Sequence, residues 1–159
     1  MKLHKSVALL LLLPFCLLQK PVSVITFKEL QSETSTKQND TLYVVNFWAT
    51  WCDQCVKELP GFQNAYTKFS SHKVKMIFVS INAVRELDKV QQFAADKNLQ
   101  PEVLLLNGGN PNDWIDKVDS SWSGALPATV LYKHGKKLYF HEGELTEGSL
   151  MQIIQSKNK

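Results

Sequence analysis

The sequence predicts an α/β sandwich built on a mixed sheet. Strand-like and helix-like patterns alternate through the middle of the chain, and a hairpin signal followed by a helix closes its end. The run Met76-Ile77-Phe78-Val79-Ser80-Ile81 has the continuous apolar character of a strand covered on both faces.

Taken in order, Val22 to Thr26 is a short extended segment, Phe27 to Glu33 carries a few helical turns, and the polar run Thr34 to Asp40 is a loop. Thr41 to Trp48 is β-branched and aromatic and reads as a buried central strand. A helix follows from about Asp53 to Ser70, because Val56, Leu59, Phe62, Tyr66 and Phe69 recur at the spacing of one helical face. Pro60 falls inside it and is expected to kink it. Lys75 to Asn82 is the next strand, Glu86 to Asn98 an amphipathic helix through Leu87, Val90, Phe93 and Ala94, and Glu102 to Leu106 a further strand. Residues 107–113 are rich in Asn, Gly and Pro and form a loop, with a short helix expected over Asp113 to Val118. Ala128 to Lys133 and Lys137 to His141 are the arms of a hairpin turning at His134-Gly135-Lys136-Lys137, and the final helix runs from Thr146 through Gln155.

The 159 residues are 44% hydrophobic and 21% charged, the composition of one globular domain with its own core. The first 23 residues stand apart. Lys2, His4 and Lys5 precede an apolar run from Val7 to Leu18, the arrangement of a secretory leader ending near Ser23; an uncleaved anchor is the alternative. That places the folded domain at residues 24–159 and the protein outside the cytoplasm, in a periplasmic or other extracytoplasmic space. Formal net charge is +3, but Lys2, Lys5 and Lys20 supply all of it, since 18 basic residues less these three equal the 15 acidic ones. A formally neutral body gives no electrostatic footprint for nucleic acid.

Removing the leader also removes Cys16 and leaves Cys52 and Cys55, two cysteines in one Cys-X-X-Cys at the junction of strand and helix. A bridge across two residues encloses too short a loop to stabilise much, so it is better explained as a bond made to open and close. At a helix N-terminus unpaired N–H groups and the dipole favour a thiolate, the reactive form of cysteine. Zinc would need two more ligands, and only His72, His134 and His141 are available, without ligand spacing. Haem attachment would require His after the second cysteine, where Val56 stands.

Phe47-Trp48-Ala49-Thr50-Trp51-Cys52-Asp53-Gln54-Cys55, with Pro60 five residues later and Leu126-Pro127-Ala128-Thr129 downstream, resembles the thioredoxin superfamily. More narrowly it resembles the exported TlpA/ResA-type thiol-disulfide oxidoreductases, which include reductants of cytochrome c maturation. The resemblance implies a thioredoxin-like fold in which a central mixed sheet is flanked by helices, with an insertion between the active-site helix and the cis-proline strand. The 75 positions between Cys52 and Pro127 leave room for that insertion. It further implies that Cys52 is the attacking thiol and Cys55 the buried resolving one. Pro127 would be a cis-proline, with Leu126 offering its backbone to an extended substrate strand.

Glu58 lies three residues after Cys55, where the ResA-type pattern has an acid close to the thiols that would shuttle protons. Its competing reading is a solvated glutamate paired with Lys57 or Lys68. Asn46 stands where thioredoxin has a buried acid, which makes Glu58 the better candidate for an assisting carboxylate. Gln54 replaces the proline common before the second cysteine, and Asp53 puts negative charge beside Cys52, opposing the thiolate and favouring a reductant or isomerase over an oxidant. Trp51 is assigned to an exposed docking surface, Trp122 to the wall of a partner groove, and Trp114 to the core.

The function expected is exchange of dithiol for disulfide with protein substrates, in the reducing direction, re-reduced by a membrane electron donor. No metal, flavin or nucleotide is required. Two other functions stay open: a disulfide oxidase or isomerase, and a non-catalytic module that holds a peptide or a metal on the same fold.

Overall fold

A computed structural model of the chain describes residues 20–159. The leader expected over residues 1–23 lies almost wholly outside them. The described elements are β1 (Ser23–Thr26), α1 (Phe27–Glu33), β2 (Leu42–Trp48), α2 (Asp53–Phe69), β3 (Val74–Ser80), α3 (Leu87–Asp96), β4 (Glu102–Asn107), α4 (Ile115–Val118), β5 (Ala128–Lys133), β6 (Lys136–Glu142) and α5 (Glu147–Lys157). One six-stranded sheet runs in the order β1-β4-β3-β2-β5-β6. The β1, β4, β3 and β2 neighbours are parallel, whereas β2 with β5 and β5 with β6 are antiparallel, which makes the sheet mixed. The interval between Cys52 and Pro127 holds α2, β3, α3, β4 and α4.

Side chains of a strand alternate between faces, and the two cores follow that alternation. On β2, Val44 and Trp48 join the core under α2, α3 and α5, with Leu59 and Phe62 of α2, Val90 of α3 and Leu150 of α5. Tyr43, Val45 and Phe47 join the opposite core, with Leu30 of α1, Val118 of α4, Trp114 and Trp122. Gly61 brings α2 and α5 together, since a Cβ there would stand 3.1 Å from the Glu147 Cβ. The α1 N-terminus is closed by a capping box in which the Thr26 hydroxyl accepts from the Glu29 N–H and the Glu29 carboxylate accepts from the Thr26 N–H.

The α2 helix runs through Pro60 as one 17-residue element, with the proline exposed. Two local expectations change. The helix expected over Asp113 to Val118 divides into a 3-10 turn at Pro111–Asp113 and the α4 turn, because Trp114 leaves helical geometry at φ −136°. That turn carries its ring to within 5.9 Å of Phe47 and 5.8 Å of Phe27. The four-residue hairpin turn tightens to His134-Gly135, both at positive φ, and Lys136 and Lys137 pair with Lys133 and Tyr132 as strand residues.

The packing generates one stability test. Phe62 is fully buried and meets Phe78 at 6.0 Å between ring centres. Phe62→Ala is expected to lower unfolding stability by about 3–5 kcal/mol in urea titrations, against less than about 0.5 kcal/mol for replacement of exposed Lys28 by Gln.

Candidate redox site

The two cysteines sit where β2 ends and α2 begins. Cys52 and Cys55 form a disulfide, with 5.3 Å between their Cα atoms. Cys52 is the N-cap of α2 in extended conformation, and its sulfur accepts the Cys55 N–H at 3.2 Å, taking the place that a hydroxyl or carboxylate oxygen usually fills. A thiolate on Cys52 would occupy the same position at the positive end of the helix. Cys55 is fully buried and Cys52 is 8% exposed, so Cys52 is the more accessible sulfur but is largely covered in the disulfide form. Beside it Trp51 stands 59% exposed. Asp53 opens the helix as its first-turn acid.

The turn before the cysteines is fixed from outside β2. Asn82 accepts the Thr50 N–H at 3.0 Å and the Ser80 hydroxyl at 2.9 Å through Oδ1, and it donates through Nδ2 to the Thr50 hydroxyl at 2.8 Å and to Glu86 at 3.2 Å. Every polar atom of this buried amide is used, so it clamps residues 49–52 to the end of β3. Sequence reasoning missed Asn82. Its only signal is a polar residue ending an apolar strand, and nothing in the sequence ties it to Thr50.

The antiparallel register pairs Phe47 with Ala128, so the Leu126–Pro127 turn continues alongside the end of β2 that leads to Cys52. The Leu126–Pro127 peptide bond is cis. Pro127 is buried and Leu126 half-buried. The Pro127 carbonyl accepts from the N–H of Gly143, whose φ of +107° glycine tolerates and other residues do not. Trp122 is largely buried. It is 4% exposed, packs 4.9 Å from Phe47 and 5.5 Å from Trp114, and donates its indole N–H to the Ala125 carbonyl at 2.8 Å. It is a core residue that anchors the turn before Leu126. With Trp114 it also forms the inner wall of a cavity of about 320 Å³ beyond the ends of β3 and β4. Trp114 is buried, as expected.

Glu58 departs most from a surface residue. It is 4% exposed and pairs with neither Lys57 nor Lys68. Its Oε1 accepts from Asn46 Nδ2 at 2.7 Å and its Oε2 from the Leu145 N–H at 2.9 Å. Burial pushes its carboxyl up to about 7; the two hydrogen bonds act against that shift and the Glu144 charge adds to it. Because the folded value lies above the ordinary 4.5, the folded chain holds the extra proton between pH 4.5 and 7. Stability contributed by the protonated group is therefore full below pH 4.5 and is lost as pH rises towards 7. In oxidised protein, the unfolding free energy of the wild type relative to Glu58→Gln is expected to fall by about 3 kcal/mol across that window. Urea titrations of both proteins at closely spaced pH values measure it, and parallel curves would contradict the assignment.

Comparison with known proteins adds to this geometry. A model described as the AhpC/TSA family matches residues 21–141. Over 120 residues the chain is 31% identical to the thiol-disulfide oxidoreductase ResA of Oceanobacillus iheyensis, a match covering 72% of this chain and 58% of that protein. The chain thus spans less than two thirds of that relative's length. The thioredoxin-related protein from Neisseria meningitidis serogroup B is similar at a TM-score of 0.61 and 26% identity, covering 73% of this chain and 86% of that one. A thiol:disulfide interchange protein of the thioredoxin family from Chlorobium tepidum TLS shares the fold at a TM-score of 0.63 and 18% identity, covering 76% and 81%. The sheet order, the helix that follows β2 and the hairpin after the cis-proline turn are those of a thioredoxin-like fold, and the matched span takes in the whole of the cysteine site. The chain belongs to the AhpC/TSA family of thioredoxin-fold proteins.

Proposed function

We propose that this protein is an exported thiol-disulfide oxidoreductase acting on protein substrates, and that it works as a reductant. The observation that carries the reading is the Cys52–Cys55 disulfide at the N-cap of α2, flanked by the Leu126–Pro127 turn. Such a bridge stabilises the fold little and sits where a thiolate is favoured.

In the reducing direction the Cys52 thiolate attacks one sulfur of a client disulfide, forming a mixed disulfide and releasing the other client sulfur as a thiolate. Cys55, having lost its proton, then attacks the Cys52 sulfur. The Cys52–Cys55 bond forms, the mixed disulfide breaks, and the second client sulfur leaves. Two electrons pass to the client, and the protons that its thiolates take up balance those lost by the cysteines. Glu58, one turn after Cys55 on the same helix, is the group assigned to take the Cys55 proton. Its hydrogen-bonded burial supports this, since a carboxyl near 7 exchanges protons readily at neutral pH. Trp51 and the backbone of Leu126 are assigned to docking of the client strand beside Pro127. Re-reduction falls to a membrane electron donor. Export rests on the leader pattern; no helix among the described residues is long and apolar enough to cross a membrane.

The Asp53 charge beside Cys52 supports the reducing direction, because it opposes negative charge on the Cys52 thiolate and so destabilises the reduced form relative to the disulfide. The Cys55 N–H on that sulfur works the other way and favours an oxidase. Titrating the Cys52–Cys55 couple against glutathione and dithiothreitol decides between them. A potential far below the roughly −120 mV of strong oxidants is expected, and a value near that figure would overturn the reductant. Trapping tests exchange itself. Cys55→Ala is expected to accumulate covalent client adducts that dithiothreitol releases, and Cys52→Ala none. Absence of adducts from Cys55→Ala would favour the non-catalytic binding module.

A further inference from the structure

Asn46 on β2 and Thr129 on β5 face one another directly across the sheet, and both are fully buried. Asn46 Nδ2 donates to Glu58 Oε1 at 2.7 Å and to Thr129 Oγ1 at 3.1 Å. Among the described residues its Oδ1 is buried with no hydrogen-bond partner. An orphaned buried oxygen costs about 1–3 kcal/mol, so one beside a titrating acid calls for a reason.

The reason lies in what the acid demands of the amide. A charged Glu58 only accepts, and the observed arrangement suits it, with Asn46 Nδ2 on Oε1 and the Leu145 N–H on Oε2. A protonated Glu58 must donate. Its Oε2 already faces the Leu145 N–H, so the proton belongs on Oε1, where it meets the Asn46 donor. Turning the Asn46 amide by about 180° removes the clash, because Oδ1 can then accept from both the Glu58 O–H and the Thr129 O–H. The orphan oxygen gains two donors, while the nitrogen moves to the unpartnered side, so the turn is driven by the demand of the Glu58 O–H for an acceptor and not by relief of the orphan. The two orientations are thus matched to the two protonation states.

The carboxylate reaches the cis-proline segment by two routes. One runs through Asn46 to Thr129, two residues beyond Pro127. The other runs through the Leu145 N–H and back along the chain to Gly143, whose N–H holds the Pro127 carbonyl at 2.8 Å. We propose that Asn46 is a positioning residue whose side-chain amide turns its nitrogen to a charged Glu58 and its oxygen to a protonated one, so that the substrate-side Pro127 segment registers the proton. The inference rests on the assignment of Glu58 as proton carrier. Other titratable groups around Glu58 are Lys57 on α2, Glu144 in the loop before α5 and Glu147 on α5; β2 and β5 face it with the uncharged Asn46 and Thr129, and Cys55, one turn before it, is held in the disulfide.

Nuclear Overhauser spectra of the oxidised wild type, with the Glu58 carboxyl carbon followed in parallel, test this directly. Cross-peaks between the Asn46 amide protons and the Thr129 methyl are expected above the Glu58 midpoint and should lose most of their intensity below it. In Glu58→Gln, whose side-chain nitrogen donates towards Asn46 as the protonated acid does, they should be weak at every pH. Undiminished cross-peaks on both sides of a Glu58 titration would overturn the inference and leave the proton carrier standing. An exchange pH profile unchanged by Glu58→Gln would overturn the proton carrier itself, and the inference with it.

Discussion

The antiparallel pairing of β2 with β5 is the constraint on which the site depends. The parallel strands β1, β4, β3 and β2 all end on one side of the sheet, and β5, running against β2, begins there. Residues 126–128 therefore arrive beside the turn that carries Cys52, although they lie 75 positions away in the chain. A parallel β5 would start at the far edge and leave the cysteines without a proline turn. The same register sets Asn46 against Thr129 on the face that α2 covers.

Around that pairing the two faces of the sheet do different work. The face under α2 holds the disulfide, Glu58 and the Asn46 amide among apolar residues, and burial there raises the Glu58 carboxyl. The opposite face carries an aromatic cluster of Phe27, Phe47, Trp114, Trp122 and Phe140, which supplies stiffness instead of reactive groups. Its effect on the site is indirect. Trp122 is held among these rings, and through its bond to the Ala125 carbonyl it steadies the turn that delivers Leu126 and Pro127. Asn82 does the same for the cysteine turn from the end of β3.

How far the site could be read from sequence depended on the distance over which each residue's environment is built. The cysteine pair is local: two residues separate the thiols, and the strand and helix on either side are recognisable by periodicity. Glu58 was legible as a residue near Cys55, but not as a buried one. Its burial depends on the fold around α2, and its hydrogen bonds come from positions 12 before and 87 after it. The burial of Trp122 was not legible for a similar reason, since the rings that cover it belong to Phe47, Trp114 and Phe140, on three other segments. Trp114 was read correctly as core, yet the helix expected to start at Asp113 broke at that same residue, because its inward packing outweighed a weak local helical preference.

By itself the sequence determined where strands and helices lie and which two sulfurs react with each other, because short-range patterning and a three-residue separation suffice for both. The tertiary structure decided what surrounds them. Whether a carboxyl near the thiols is charged, which oxygen of an amide is left without a donor, and which tryptophan faces solvent are all set by groups remote in the chain. Desolvation and hydrogen bonding act over a few ångströms of space, and only the folded sheet brings residues 46, 58, 129 and 145 within that range.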